Sequence, residues 1–294
     1  MSRSDSISNN PALLAPGVPP ESAPLSPDDQ EIYKKLEETF AADMPIEPQM
    51  LIRFVRGYRK EKDRFDTTVS KLRETLEWRK QNNVDTILAS PLPNEAKYFE
   101  LWPHDFHGIS KCGHPVYYEN PCFTDPSLLL QTFNIEDQRR FHTQMMEMIQ
   151  KIKKKCERDS GHQTYKAVVV VDLAGLTRHH MGSQFTEPFR AQINIDQYYY
   201  PESLQTLFVI NAPFIFRMLW GMVKPWLHPL TAARIKILGS DYLSSLRELV
   251  SDDQIPAYYG GSCSCCPQGK SFGELHAVTY SKFVALRDQL NQLE

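Results

Sequence analysis

The chain has 294 residues, 41% of them hydrophobic and 23% charged, with a formal net charge of −3. This suits one large globular domain, or a large one beside a small one, with a substantial core. The nearly balanced charge excludes a protein that binds nucleic acid through its overall field, so any basic surface is local. No apolar stretch approaches the ~18 residues of a spanning helix. The start MSRSDSISNN lacks the apolar core of a secretory signal. Six cysteines in a chain of this size do not read as a disulfide framework, so the expected setting is a reducing cytoplasm.

Residues 1–27 hold Pro11, Pro16, Pro19, Pro20, Pro24 and Pro27 among Ser, Asn and Ala, which predicts a disordered tail. Ser26, Pro27, Asp28 and Asp29 form a helix start: a capping hydroxyl, a proline at the first helical position and acids in the first turn. Ile32, Leu36 and Phe40 then mark one apolar face. A second helix runs from about Pro48, with Met50, Leu51, Phe54, Val55 and Tyr58 inward. A third follows Asp63, with Phe65, Val69, Leu72 and Leu76 in one stripe. Short links make these helices antiparallel neighbours, so residues 28–85 read as a helical unit.

Beyond residue 86 the pattern changes. Pro115–Tyr118 reads as a short strand, and Asn134 caps a long helix to about Arg158 with Phe141, Met145, Met148, Ile149 and Ile152 inside. Apolar, β-branched runs at 168–171, 207–210 and 235–238 are separated by helical stretches near 184–199 and 213–223. Such alternation predicts an α/β domain over 86–262, with a mostly parallel sheet covered by helices. Residues 263–294 add a cysteine-containing loop and a C-terminal helix.

The sequence names no catalytic machinery. GxGxxG, P-loop and GxSxG patterns are absent, and no nucleophile has a recognisable base beside it. His179-His180 and the pair His104 and His107 supply too few ligands for a zinc site. Cys263, Cys265 and Cys266, with His276 ten residues on, lack the spacing of a zinc knuckle and read as a thiol-rich loop with no metal. No cofactor is expected.

The segment 211–230 is unusual. From Pro213 to Pro225 it is apolar nearly all round, broken only by Arg217, Gly221 and Lys224. A helix of this composition is either deep core or lies between a greasy ligand and a lipid surface. Trp220 and Trp226 suit a membrane interface. Periodicity alone leaves both readings open.

The motifs Tyr199-Tyr200-Pro201-Glu202, Asn211-Ala212-Pro213-Phe214, Lys224-Pro225-Trp226-Leu227, Ile235-Lys236-Ile237-Leu238-Gly239 and Ile255-Pro256-Ala257-Tyr258-Tyr259-Gly260-Gly261 closely resemble the CRAL-TRIO lipid-binding family. Leu51-Ile52-Arg53-Phe54-Val55-Arg56 and Trp78-Arg79 look like its helical N-terminal region. Gly113-His114-Pro115-Val116-Tyr117 and Val171-Asp172-Leu173-Ala174-Gly175 fill the middle. The resemblance covers about residues 30–262. It implies a helical unit beside an α/β domain whose sheet floors an apolar lipid pocket closed by a mobile helix. By position, Tyr117, Val169, Val171, Phe208 and Ile210 then belong to the pocket. Phe214, Phe216, Leu219, Trp220 and Val223 belong to the closing helix, from Pro213 to Val223.

In the phospholipid-transfer branch, an acidic residue after Tyr-Tyr-Pro and a Thr-x-x-Lys sequence serve the inositol phosphate. Glu202 matches the first, and Thr231 with Arg234 matches the second, arginine replacing lysine. A basic residue expected shortly after Arg56 is Tyr58 here, with Arg59 one place on. The strand that offers hydroxyls to choline reads Lys166-Ala167-Val168-Val169, with none. The resemblance therefore favours an inositol lipid over phosphatidylcholine and leaves a fully apolar lipid open.

Two basic runs complete the reading. Arg53, Arg56, Arg59, Lys60, Lys62 and Arg64 form a patch that could attract an anionic leaflet, whereas residues 151–158 read as a solvated face. No aromatic residue interleaves with the second run, so nucleic acid is not an expected partner. The leading reading is a lipid carrier that visits membrane surfaces and does no covalent chemistry, with a phospholipid or other lipid as its ligand. A lipid-regulated interaction module and an unrecognised enzyme stay open, and no protein partner is indicated.

Overall fold

A computed structural model describes residues 17–265 and 270–292. The expectations for residues 1–16 and for Cys266 lie outside them. Helices α1 (Pro27–Thr39), α2 (Pro48–Gly57) and α3 (Arg64–Gln81) form where periodicity places them. Ser26 caps α1 by accepting a hydrogen bond from the Asp29 amide at 3.2 Å. Leu36, Phe40, Leu51, Phe54, Val55 and Leu72 bury a core of their own.

Next come α4 (Glu95–Leu101), β1 (His104–Ile109), β2 (Pro115–Glu119), α5 (Pro126–Thr132) and α6 (Ile135–Ser160). They lead to β3 (Ala167–Asp172), α7 (Ser183–Tyr199), β4 (Leu204–Ile210), α8 (Phe216–Val223) and α9 (Pro229–Ala232). The chain ends with β5 (Ile235–Ile237), α10 (Leu243–Leu249) and α11 (His276–Asn291). Asn134 starts α6 with a full capping box, its side chain and that of Asp137 each holding the other's amide.

The strands lie in the order β1-β2-β3-β4-β5, with β1 antiparallel to β2 and the other neighbours parallel. When parallel strands follow chain order, crossovers of one hand all fall on one face of the sheet. That face presents Tyr117, Val169 and Val171 to α6 and α7. The opposite face presents Val116, Tyr118, Val168, Val170, Phe208 and Ile210 to Leu246, Val250, Ile255 and Tyr259.

This register corrects the expectation for two pocket residues. Val170 pairs with Phe208 and Asp172 with Ile210, so Phe208 and Ile210 point away from α6 and α7, and Leu207 and Val209 take the inner positions. A strand buried on both faces reads as a continuous apolar run, which hides the parity of its side chains.

Two further expectations change. Within the predicted tail, residues 17–27 are placed. Glu21 is buried against His114, whose Nε2 is 2.9 Å from its carboxylate, and Arg56 donates to the carbonyls of Glu21 and Ala23. Pro19 leads into a short 3-10 turn over Pro20–Ser22, and the polar bonds of Glu21 and Arg56 dock this strap. The basic patch of 53–64 also dissolves. Arg53 is buried and donates to Ser203 Oγ at 3.0 Å, Arg56 also reaches the Tyr165 hydroxyl at 2.6 Å, and Arg59 and Arg64 both hold Asp29. Lys60 and Lys62 remain exposed, beside the exposed acids Glu61 and Asp63.

Helix α11 is fastened by a buried ion pair. Arg287 donates to both oxygens of Glu95 at 2.8 and 2.9 Å, and Gln144 adds a third bond at 2.7 Å. Among the described residues no helix is long and apolar enough to cross a membrane.

Candidate ligand-binding cavity

Between the inner face of the sheet and helices α6 and α7 lies a cavity of about 500 Å³, within the usual range of about 300–1,000 Å³ for small-molecule sites. Its walls are mostly apolar, formed by Val169, Val171 and Leu207 from the sheet, Met145 and Ile149 from α6, and Phe189 and Ile193 from α7. The exposed residues Glu61, Tyr198 and His228 stand at its mouth. Tyr117 also lines it, so three of the five strand residues assigned to a pocket, Tyr117, Val169 and Val171, meet there.

Glu202, Thr231 and Arg234 come together on the cavity's rim. Arg234 Nη2 donates to both carboxylate oxygens of Glu202 at 3.1 and 3.0 Å, and its Nη1 donates to the Leu204 carbonyl at 2.9 Å. Lys166 Nζ lies 3.3 Å from the same carboxylate. Burial pushes the Glu202 carboxyl up, but Lys166 and Arg234 outweigh it and hold the group below the usual glutamate value. Glu202 adopts a left-handed backbone, φ 55°, uncommon for a residue with a long side chain. Such conformations gather at functional sites.

Arg59 does not join this group. It ion-pairs with Asp29 at the start of α1 and is absent from the cavity wall. One residue's shift along the α2 end separates Arg59 from Tyr58, which does face the cavity.

The inner end of the cavity carries polar groups that sequence reasoning missed. His142 Nε2 lies 2.7 Å from Asp196, and Glu119 accepts bonds from Trp102 Nε1 at 3.0 Å and the Tyr117 hydroxyl at 3.2 Å. Lys153 is fully buried in the wall and donates to the Ser203 carbonyl at 3.3 Å. A signal was available, because His142, Met145, Ile149 and Lys153 follow one another at helical spacing on the same face of α6. The solvated face expected for 151–158 holds for Lys154 and Lys155, which pair with Glu47 and Asp159 at the surface, and fails at Lys153.

Helix α8 is amphipathic in place. Phe216, Leu219 and Val223 are buried in a cluster with Val171, Phe185, Ile193 and Val209. Trp220 is half-buried beside Phe216. Phe214, just before the helix, is 80% exposed, and Met218 and Met222 at four-residue steps are 69% and 41% exposed. None of these residues walls the cavity, contrary to the expectation for the closing helix. Pro225 ends α8, and the chain turns so that Trp226, Leu227 and Leu230 form the wall instead, with Gln197 of α7 donating to the Trp226 carbonyl at 3.0 Å. The apolar stripe Phe214, Met218 and Met222 was not separated from its buried partners by composition alone.

Comparisons with known proteins agree with this architecture. A family model described as the CRAL/TRIO domain matches residues 105–261, more than half of the chain. The chain is 33% identical over 214 residues to the phosphatidylinositol/phosphatidylcholine transfer protein SFH4 of Arabidopsis thaliana, covering 70% of this chain and 34% of that protein. It is 30% identical over 221 residues to SFH9 of the same plant, covering 74% and 38% respectively. It thus spans well under half the length of these plant relatives. With the SEC14 cytosolic factor of Kluyveromyces lactis it shares 30% identity over 239 residues, 78% of this chain and 75% of that one. The crystal structure of Sfh5 superposes with a TM-score of 0.64 at 16% identity, covering 89% of this chain and 99% of the other, a likeness of fold. Sequence motifs, sheet order and family match converge, and the chain belongs to the CRAL/TRIO domain family.

Proposed function

We propose that this chain binds a phospholipid in the cavity and exchanges it at membrane surfaces, with an inositol-type head group at the Glu202–Thr231–Arg234 rim. The observation that carries the reading is one apolar-walled cavity ending in an ionic rim. Acyl chains need the first and a phosphorylated polyol needs the second. Arg234 supplies planar donors to phosphate, Glu202 accepts from hydroxyls, and Thr231 does either.

The energetics suit a carrier. An acyl chain of about 16 carbons exposed to water costs on the order of 10 kcal/mol at ~0.8 kcal/mol per methylene. A closed apolar cavity removes that cost in transit. Bilayer and cavity are similarly apolar, so exchange runs near balance without coupled chemistry. The exposed stripe Phe214, Met218 and Met222 supplies a face for a lipid surface. The relatives named above as phosphatidylinositol/phosphatidylcholine transfer proteins support the same reading. Transfer of labelled phosphatidylinositol from donor to acceptor vesicles tests it: catalytic amounts of the chain should accelerate transfer. No acceleration with phosphatidylinositol, alongside transfer of a sterol or other apolar lipid, would reassign the ligand.

A further inference from the structure

The sequence groups Cys263, Cys265 and Cys266 with His276, whereas among the described residues the fold brings His107, 156 residues upstream of the first cysteine, to Cys263 and Cys265. The side-chain ligand atoms of His107, Cys263 and Cys265 all lie within 4.8 Å of one another. Cys265 Sγ is 2.7 Å from Cys263 Sγ and 4.0 Å from His107 Nε2. His276 turns instead to its own backbone, Nδ1 to the Gly273 carbonyl at 3.2 Å. From this juxtaposition we infer that His107, Cys263 and Cys265 form a binding site for a thiophilic cation of the zinc class.

Two local devices build the site. The β1–β2 ladder shifts register between Phe106 and Ile109, and a bulge of this kind re-aims a side chain at a sheet edge. Here it sits at His107 and Gly108. Gly108 has φ 75°, and a Cβ there would lie 2.2 Å from the Gln254 carbonyl oxygen, so the bulge is pressed against the 252–254 turn. The cysteine loop is anchored on the same turn. Ser262 N donates to Asp252 O at 2.9 Å, Cys263 N to Ile255 O at 3.4 Å, and a Cβ on Gly261 would meet Ile255 O at 2.1 Å. One turn thus fixes both halves.

The donor set selects the ion. Two thiolates and an imidazole suit zinc or another soft ion and not magnesium or calcium, which take oxygen ligands. Tetrahedral bonds of about 2.3 Å to sulfur and about 2.0 Å to nitrogen place two sulfurs about 3.8 Å apart. The exposed Cys265 reaches that spacing from 2.7 Å by rotating its side chain, and its exposure gives the ion a route in from solvent. His107 and Cys263 are buried and hold their positions. The Cys265 amide already points at Cys263 Sγ, 3.4 Å away, a bond that favours the thiolate. Binding releases the two thiol protons to solvent. The fourth position goes to water or to another group of the chain. None of the three ligands lines the lipid cavity, so the ion would clamp the chain leading to α11 onto strand β1.

The full chain, purified under reducing conditions without chelator from zinc-supplemented cells, tests this by elemental analysis. The expected result is about one zinc per chain, unchanged in His276→Ala. Cys265→Ser and His107→Ala should each lower zinc affinity by at least about tenfold. Cys265 is exposed, and an unchanged far-UV circular dichroism spectrum shows that its variant is folded. Three results would overturn the site: wild-type chain with reduced thiols and no zinc, zinc retained undiminished in both ligand variants, or a Cys263–Cys265 disulfide as the resting state under the same conditions.

Discussion

Arg234 grips both carboxylate oxygens of Glu202 with one nitrogen, at 3.1 and 3.0 Å, and the Leu204 carbonyl with another at 2.9 Å. These bonds hold the guanidinium in one orientation at the cavity's rim, as the proposed phosphate contact requires. Losing a charged hydrogen bond costs about 1.5–3 kcal/mol. Arg234→Ala should accordingly slow phosphatidylinositol transfer about 10- to 100-fold, while Lys166, 3.3 Å from Glu202, keeps that carboxylate paired and the fold intact. Arg234→Lys should fall between, since it keeps the charge and loses the fork. Normal transfer by a folded Arg234→Ala chain would reduce the pair to a structural salt bridge.

The two faces of α8 should respond oppositely to the same chemistry. Met218 is 69% exposed and Leu219 is buried. Met218→Asp should abolish vesicle co-sedimentation with an unchanged melting temperature, because a charge on that face opposes contact with hydrocarbon. Leu219→Asp should instead destabilise the protein by several kcal/mol, since it buries a charge with no partner. Vesicle binding untouched by Met218→Asp would remove this face from the membrane account.

The difference between these neighbours shows what was legible in the sequence. Helices α1, α2, α3, α6 and α7 and strands β2 to β5 followed from periodicity and caps such as Ser26 and Asn134, because those signals are local. Strand β1 and the short helices α4, α5, α9 and α10 carry too brief a pattern and were missed. The rim of Glu202, Thr231 and Arg234 followed from the resemblance. What failed depends on partners distant in the chain. Phe208 and Leu207 are equally apolar, and only the pairing of Val170 with Phe208 decides which one faces the helices. Arg59 looks available until Asp29 is brought beside it. Lys153 belongs to a basic run, yet helical register turns it inward. His107 and the thiols are joined by a bulge and a turn that no spacing rule encodes.

The polar end of the cavity predicts a pH dependence. Burial lowers the His142 pKa, but Asp196, 2.7 Å away, and then Glu119 raise it by more, so it lies above the ordinary histidine value. A raised folded-state pKa contributes stability that is complete below the unfolded value of about 6.5 and is lost as pH rises through the folded value. The stability advantage of the wild-type chain over His142→Gln should therefore be largest near pH 6 and shrink by about pH 9. Denaturant melts across that range measure it. An advantage that grows with pH would show that His142 is neutral in the folded protein.

Helix α11 depends on the Arg287–Glu95 pair, in which Arg287 is 3% exposed. Arg287→Ala strands a buried carboxylate, and breaking a buried pair in this way costs about 3–5 kcal/mol. The double variant Arg287→Met with Glu95→Met should recover most of that loss, because it removes the charge along with its partner. Chemical denaturation distinguishes them. A cost below about 1 kcal/mol for the single variant would place the pair among weak surface bridges.

The proposed function requires that the cavity hold an exchangeable phospholipid. Native mass spectrometry of the full chain, followed by extraction and identification of whatever it carries, tests this. The expected result is one phospholipid per chain, replaced by a labelled phosphatidylinositol after incubation with vesicles. A chain that emerges empty, or one whose lipid never exchanges, would contradict it.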